Sequence, residues 1–132
     1  MTTAPTSNIE IVSGIYAAMA AGDLELVLAM ASEDFTIDQT DELPWGGHFV
    51  GRQGVLGFAT KLLSTIDSKV EADALYEAGD RVVQRGRTRG TVNATGASFD
   101  VAEVHVWTLR DGKAVAAEFY IDTPAMLAAL EV

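Results

Sequence analysis

The chain of 132 residues has no cysteine. That excludes disulfides and thiolate-held metals, and it makes a reducing cytoplasm the simplest setting. Histidine is scarce too. His48 and His105 are the only two, far apart in sequence, and no glycine-rich phosphate loop is present. Neither a metal nor an organic cofactor is therefore expected. Basic residues are outnumbered, nine Lys and Arg against 19 Asp and Glu, for a net charge of −10. Phosphate binding needs clustered cations, so nucleic acid and anionic membrane surfaces are excluded as expected partners. Four arginines do gather, at Arg81, Arg85, Arg87 and Arg89. They read as the solvated or interface face of one strand. No apolar run approaches the ~18 residues that a spanning helix requires. The opening MTTAPTSN carries neither a basic nor an apolar targeting region, so no secretory signal is expected.

What the chain does have is apolar residues, 48% of the total. That is enough for one domain over 1–132 with a buried core. Residues 1–6 read as a flexible tail. Ser7 with Glu10 forms a capping box, and Ile9, Val12, Ile15, Tyr16 and Met19 follow at helical spacing up to Gly22. Asp23 caps a short second helix. Residues 35–38 read as a strand and 39–50 as a loop dense in acids and aromatics. Gly51 opens a third helix with an apolar stripe of Val55, Phe58, Ala59, Leu62 and Ile66. Its Gly54 and Gly57 invite close approach to a sheet.

From Asp67 the period changes to two, with strands expected at about 68–78, 81–94, 98–110 and 113–121. Asp111-Gly112 between the last two is a strong hairpin signal, because a type I′ turn needs positive φ. Thr123-Pro124 starts a final helix. Helices set apart from a run of strands mean α+β. Strands 98–110 and 113–121 are largely apolar on both faces, so a second subunit is expected to cover one of them.

Segments over nearly the whole chain resemble the SnoaL-like, ketosteroid-isomerase-like members of the nuclear transport factor 2-like superfamily. They are IYAAMAAGDLELVLAMASEDFTID, PWGGHFVGRQGVLGF, DRVVQRGRTRGT, TGASFDVAEVHVWTLRDGKAV and EFYIDTPAML. The resemblance implies an α+β cone: a strongly bent, mostly antiparallel sheet wrapped around a long helix. It also implies a cavity for a small hydrophobic ligand, and a homodimer. The superfamily holds isomerases, cyclases, dehydratases, epoxide hydrolases and non-enzymatic binders, so the fold leaves the activity open.

His105 stands seven residues before the hairpin glycine, where the cyclases have a pocket histidine. An imidazole among Val, Trp and Phe suits proton transfer or a hydrogen bond to a carbonyl. It can equally be a structural or interface histidine. A two-residue turn makes His105 face Glu118, Glu103 face Tyr120 and Trp107 face Ala116. The cyclases' acid, seven residues after the same glycine, is replaced by Phe119, which alternation puts on the face opposite His105 unless a bulge intervenes. The epoxide hydrolases' Arg-x-Asp pair is missing, with Arg87-Thr88-Arg89 in its region, so epoxide hydrolysis is disfavoured. Asp38 lies near the isomerases' general base and is the candidate assisting carboxylate. It can also be an ordinary strand-end acid. The resemblance places Tyr16, Trp45, Phe58, Glu103, Trp107 and Phe119 around the ligand. Tyr16 is one place off the isomerases' tyrosine, and Trp45 either closes the cavity or anchors its loop.

Overall fold

The computed structural model describes residues 7–131; the expected tail, 1–6, lies outside the described residues. Helix α1 (Asn8–Ala20) begins where the Ser7 hydroxyl accepts from the Glu10 amide, and Gly22 leaves it with φ of +71°. Helix α2 (Leu24–Ala29) is capped by Asp23, whose carboxylate accepts from the Leu26 amide. Strand β1 (Ala31–Gln39) follows, longer than the 35–38 that periodicity marks. The expected loop after it contains a short strand, β2 (Gly47–Val50). Only four residues long, it has no room to display a period. Helix α3 (Gly51–Thr65) comes next.

The remaining elements are β3 (Ile66–Ala78), β4 (Arg81–Val92), β5 (Ser98–Arg110), β6 (Lys113–Ile121) and α4 (Thr123–Leu130). Ile66, expected on the α3 stripe, instead opens β3 in extended backbone. Helix α4 starts at Thr123 as expected, capped by Asp122, whose carboxylate accepts from the Ala125 amide.

The six strands form one curled open sheet in the order β2-β1-β6-β5-β4-β3. All neighbours are antiparallel except β1 and β6, which run parallel. Helices α1 and α3 cover the inner face, α1 against β3 and β4 and α3 against β1. The core lies between them: Val12, Ile15, Phe35, Ile37, Val55, Phe58, Val82, Val101 and Trp107 are all buried. No helix among the described residues is long and apolar enough to cross a membrane.

The β5–β6 hairpin turns at Asp111 and Gly112 with φ of 53° and 79°, as its sequence demands. Its register is not the simple one. Arg110 pairs Lys113 and Leu109 pairs Ala114, but Thr108 pairs Ala116, leaving Val115 as an extra residue. Beyond this β-bulge His105 faces Phe119, Trp107 faces Ala117, Glu103 faces Ile121 and Val106 faces Glu118. The expected pairs His105–Glu118, Glu103–Tyr120 and Trp107–Ala116 are thereby corrected. One inserted residue moves the following side chains of a strand to the other face.

Two glycines show how closely β3 and β4 approach. A Cβ on Gly90 would sit 1.9 Å from the Asp67 carbonyl oxygen, and one on Gly86 would sit 2.1 Å from that of Glu71. In α3, a Cβ on Gly54 would sit 2.9 Å from the Phe49 backbone, whereas one on Gly57 would meet nothing within 4 Å. Gly57→Ala is therefore expected to stabilise the fold by about 0.5–1 kcal/mol, since only helix propensity changes. Gly90→Ala should cost at least about 2 kcal/mol through backbone overlap. Urea unfolding midpoints of the two variants check both signs.

Candidate functional site

Strand β5 alternates cleanly. Phe99, Val101, Glu103, His105, Trp107 and Leu109 turn inward and are buried, while Asp100, Ala102 and Val104 are exposed. His105 is therefore on the inner face, 5% exposed, and so are Glu103 and Trp107. On β4 the arginines at 81, 85 and 89 point out, and the alternate residues Val82, Gln84, Gly86 and Thr88 are buried. Tyr16 reaches the same interior from α1.

These side chains make one hydrogen-bonded chain. Trp107 Nε1 donates to Tyr16 Oη at 2.8 Å, and Tyr16 Oη lies 2.7 Å from His105 Nδ1. His105 Nε2 lies 3.3 Å from Glu103 Oε2. Gln84 Nε2 donates to the same Oε2 at 2.7 Å, and the Thr88 hydroxyl donates to Glu103 Oε1. Trp107 can only donate, so an arrangement that gives every proton an acceptor has Tyr16 donating to Nδ1 and His105 carrying its proton on Nε2, toward Glu103.

Burial decides the charges. It pushes the His105 imidazole down to about 3, so the ring is neutral at physiological pH. It also raises the Glu103 carboxyl above its ordinary range, against the opposing hydrogen bonds from Thr88 and Gln84. The Tyr16 hydroxyl is raised as well, chiefly by burial, and stays protonated. The cluster thus holds proton donors and acceptors side by side. Both His105 nitrogens already have neighbours within the cluster.

The bulge brings Phe119 inward. Its ring lies 4.5 Å from that of His105, 5.6 Å from Phe58 and 5.8 Å from Trp107, centroid to centroid. Phe119 also lines a crevice of about 590 Å³, together with Asp38, Gln39, Asp41, His48 and Ile121. The crevice opens where the parallel neighbours β1 and β6 separate after the Gln39–Phe119 pair. His105, Glu103 and Tyr16 do not line it.

Asp38 is not brought to His105. Phe35 and Ile37 turn inward on β1, and Asp38 points the other way, its Oδ1 2.5 Å from His48 Nδ1. Glu118 is its register partner on β6 and accepts from the Tyr120 hydroxyl. Trp45 is buried and donates from Nε1 to Gln39 Oε1, tying the 40–46 loop to β1. Gln84 and Thr88 are the network members that sequence reasoning missed. The signal existed: they alternate with the arginines of β4, so two polar residues share the buried face. Among the described residues no group of three or more His, Cys, Asp or Glu side chains is placed to hold a metal ion.

Residues 12–117 match the model of the SnoaL-like domain family. Similar solved structures span nearly the full chain. A nuclear transport factor 2-like (NTF2-like) protein of unknown function from Burkholderia pseudomallei K96243 is 30% identical, with a TM-score of 0.88 over 95% of this chain and 98% of that one. TerC co-crystallised with polyporic acid is 28% identical, with a TM-score of 0.87 over 95% and 98%. An NTF2-like protein from Burkholderia thailandensis E264 is 29% identical, with a TM-score of 0.87 over 93% and 96%. No curated protein matches the chain.

The neutral, buried imidazole carries a pH signature. The unfolded chain binds a proton at His105 below about pH 6.5, but the folded chain does not until about pH 3. Stability is therefore lost as pH falls through that window, on the order of 2 kcal/mol between pH 7 and pH 5. Denaturation series at the two pH values should show this loss in wild type and its disappearance in His105→Gln.

Proposed function

The chain belongs to the SnoaL-like domain family, and we propose that it binds a small hydrophobic, carbonyl-bearing molecule in its interior and exchanges a proton with it at the His105–Glu103 pair. The observation that carries this reading is the buried chain of Trp107, Tyr16, His105 and Glu103, extended by Gln84 and Thr88. Each buried polar group forgoes hydration worth about 1–3 kcal/mol unless it is paired. Apolar side chains would stabilise the same space at lower cost, so a polar cluster there fits a functional requirement. In this reading Glu103 and His105 share the acid–base work, and the Tyr16 hydroxyl stabilises a developing enolate oxygen. Isomerisation, aldol-type cyclisation and dehydration all fit such a set, none needing a cofactor. Asp38 takes no part, being on the opposite face. A neighbour co-crystallised with polyporic acid supports a small-molecule ligand.

A specific observation favours a second reading, binding without turnover. Phe119 stands on His105 where the cyclases have their acid, and both imidazole nitrogens are engaged. In either reading the protein works in the cytoplasm as a homodimer formed through the outer face of the sheet. That face exposes Val104 and Tyr120, at 38% and 55%. It also sets the arginines of β4 apart from Asp38 and Glu118 at the β1–β6 end, a pattern that a two-fold pairing can match acid to base.

Purification from the native host followed by mass spectrometry of the bound material tests the reading. A carbonyl-bearing ligand should be recovered, and its affinity should drop at least tenfold in His105→Ala and in Tyr16→Phe. Unchanged affinity in both variants would refute the site. Conversion of the ligand on incubation favours the enzyme, and its intact recovery favours the binder. Sedimentation at micromolar concentration should give a dimer for wild type and a monomer for Val104→Glu.

A further inference from the structure

Four inward positions form one row across the sheet: Gln39 beside Phe119, Phe119 beside His105, and His105 beside Gln84. The row runs from open space to a closed interior. Gln39 and Phe119 line the crevice; His105 and Gln84 do not. The half-buried Phe119 ring reaches both, lining the crevice and lying 4.5 Å from the His105 ring. It also meets the rings of Phe58 and Trp107, so it sits in an aromatic box held by dispersion and edge contacts. Behind His105, Gln84 is fully buried, and its Oε1 is the one buried side-chain polar atom among the described residues that lacks a hydrogen-bond partner. A buried acceptor left unpaired is costly, and it points to a donor that the chain itself does not supply.

We propose that Phe119 is a plug: its ring holds the place of a flat aromatic ligand and swings into the crevice to admit one to His105. The proposal rests on the interior being a ligand site and specifies how that site opens and what it takes. The crevice of about 590 Å³ has room for the displaced ring. The vacated box, walled by Phe58, Trp107 and His105, suits a planar ring. The groups beyond it, Gln84 Oε1 and the Glu103 carboxyl, accept hydrogen bonds, so the ligand carries a donor such as a hydroxyl on its leading edge.

The two histidines make an internal pair of reporters for diethylpyrocarbonate, which modifies accessible neutral imidazole. His48 is 60% exposed at its side chain and His105 only 7%. Wild type should be modified at His48 alone, and Phe119→Ala at both residues. Phe58→Ala opens a similar hole behind the plug, on a residue that does not line the crevice, and should leave His105 protected. Phe119→Leu serves if the alanine variant fails to fold. Phe119→Ala should also bind 2-naphthol at least tenfold more tightly than wild type does, and at least tenfold more tightly than it binds naphthalene, with His105 ring resonances shifting on binding. Equal protection of His105 in wild type and the Phe119 variants would overturn the proposal, as would equal exposure in Phe58→Ala. Equal binding of naphthol and naphthalene would overturn the donor requirement. None of these measurements uses the native ligand, so a failed plug leaves the broader ligand reading to be judged by capture from the host.

Discussion

Between Thr108 and Leu109 the pairing of β5 with β6 slips by one residue, and the contents of the interior follow from that slip. Val115 is the residue left over. Beyond it Ala117, Phe119 and Ile121 turn toward the helices, and Glu118 and Tyr120 turn away. Without the bulge, Glu118 would enter the core opposite His105, a second buried carboxylate beside Glu103. Desolvating another charge there would cost several kcal/mol. An aromatic ring fills the position instead, and the carboxylate stays where water can reach it.

The interior that results combines two kinds of packing. Phe35, Phe49, Phe58, Trp107 and Phe119 form an aromatic wall from β1 to β6. Beside it Tyr16, His105, Glu103, Gln84 and Thr88 form a polar cluster whose members satisfy one another almost completely. The cluster needs contributions from α1, β4 and β5 at once. Such a network is strong when intact and fragile when one member is removed, because each deletion leaves a buried group unpaired. Burial acts on both titratable groups: it keeps the imidazole neutral at physiological pH and raises the Glu103 carboxyl above its ordinary range.

The two faces of the sheet carry different chemistry for the same geometric reason. Side chains alternate, so the arginines of β4 and the pair of Asp38 with His48 lie outside while Gln84, Thr88 and Ile37 lie inside. Arg87 and Arg89 meet Asp100 on that outer surface at 2.6 Å and 3.2 Å. Both partners are largely solvated, so these pairs contribute little to stability. The separation of β1 from β6 after the Gln39–Phe119 pair gives the sheet its crevice, and Phe119 both lines the crevice and packs on His105 in the interior.

Local chemistry was legible in the sequence. Ser7, Asp23 and Gly22 placed two helices, Asp111-Gly112 placed the hairpin, and the alternation of β5 put Glu103, His105 and Trp107 on one face. Family resemblance supplied the bent sheet. These signals are encoded in neighbouring residues, where capping, turn geometry and a period of two act directly. Other features belonged to the tertiary structure. The parallel pairing of β1 with β6 joins segments about eighty residues apart. The bulge at Val115 depends on how β6 meets β1 as well as β5, and no glycine or proline marks it. Asp38 was assigned by position along the chain, but the face a strand residue takes is set by its neighbours' register. Tyr16 is one place off the isomerases' tyrosine along the chain, and only the packing of α1 against the sheet brings its hydroxyl to His105.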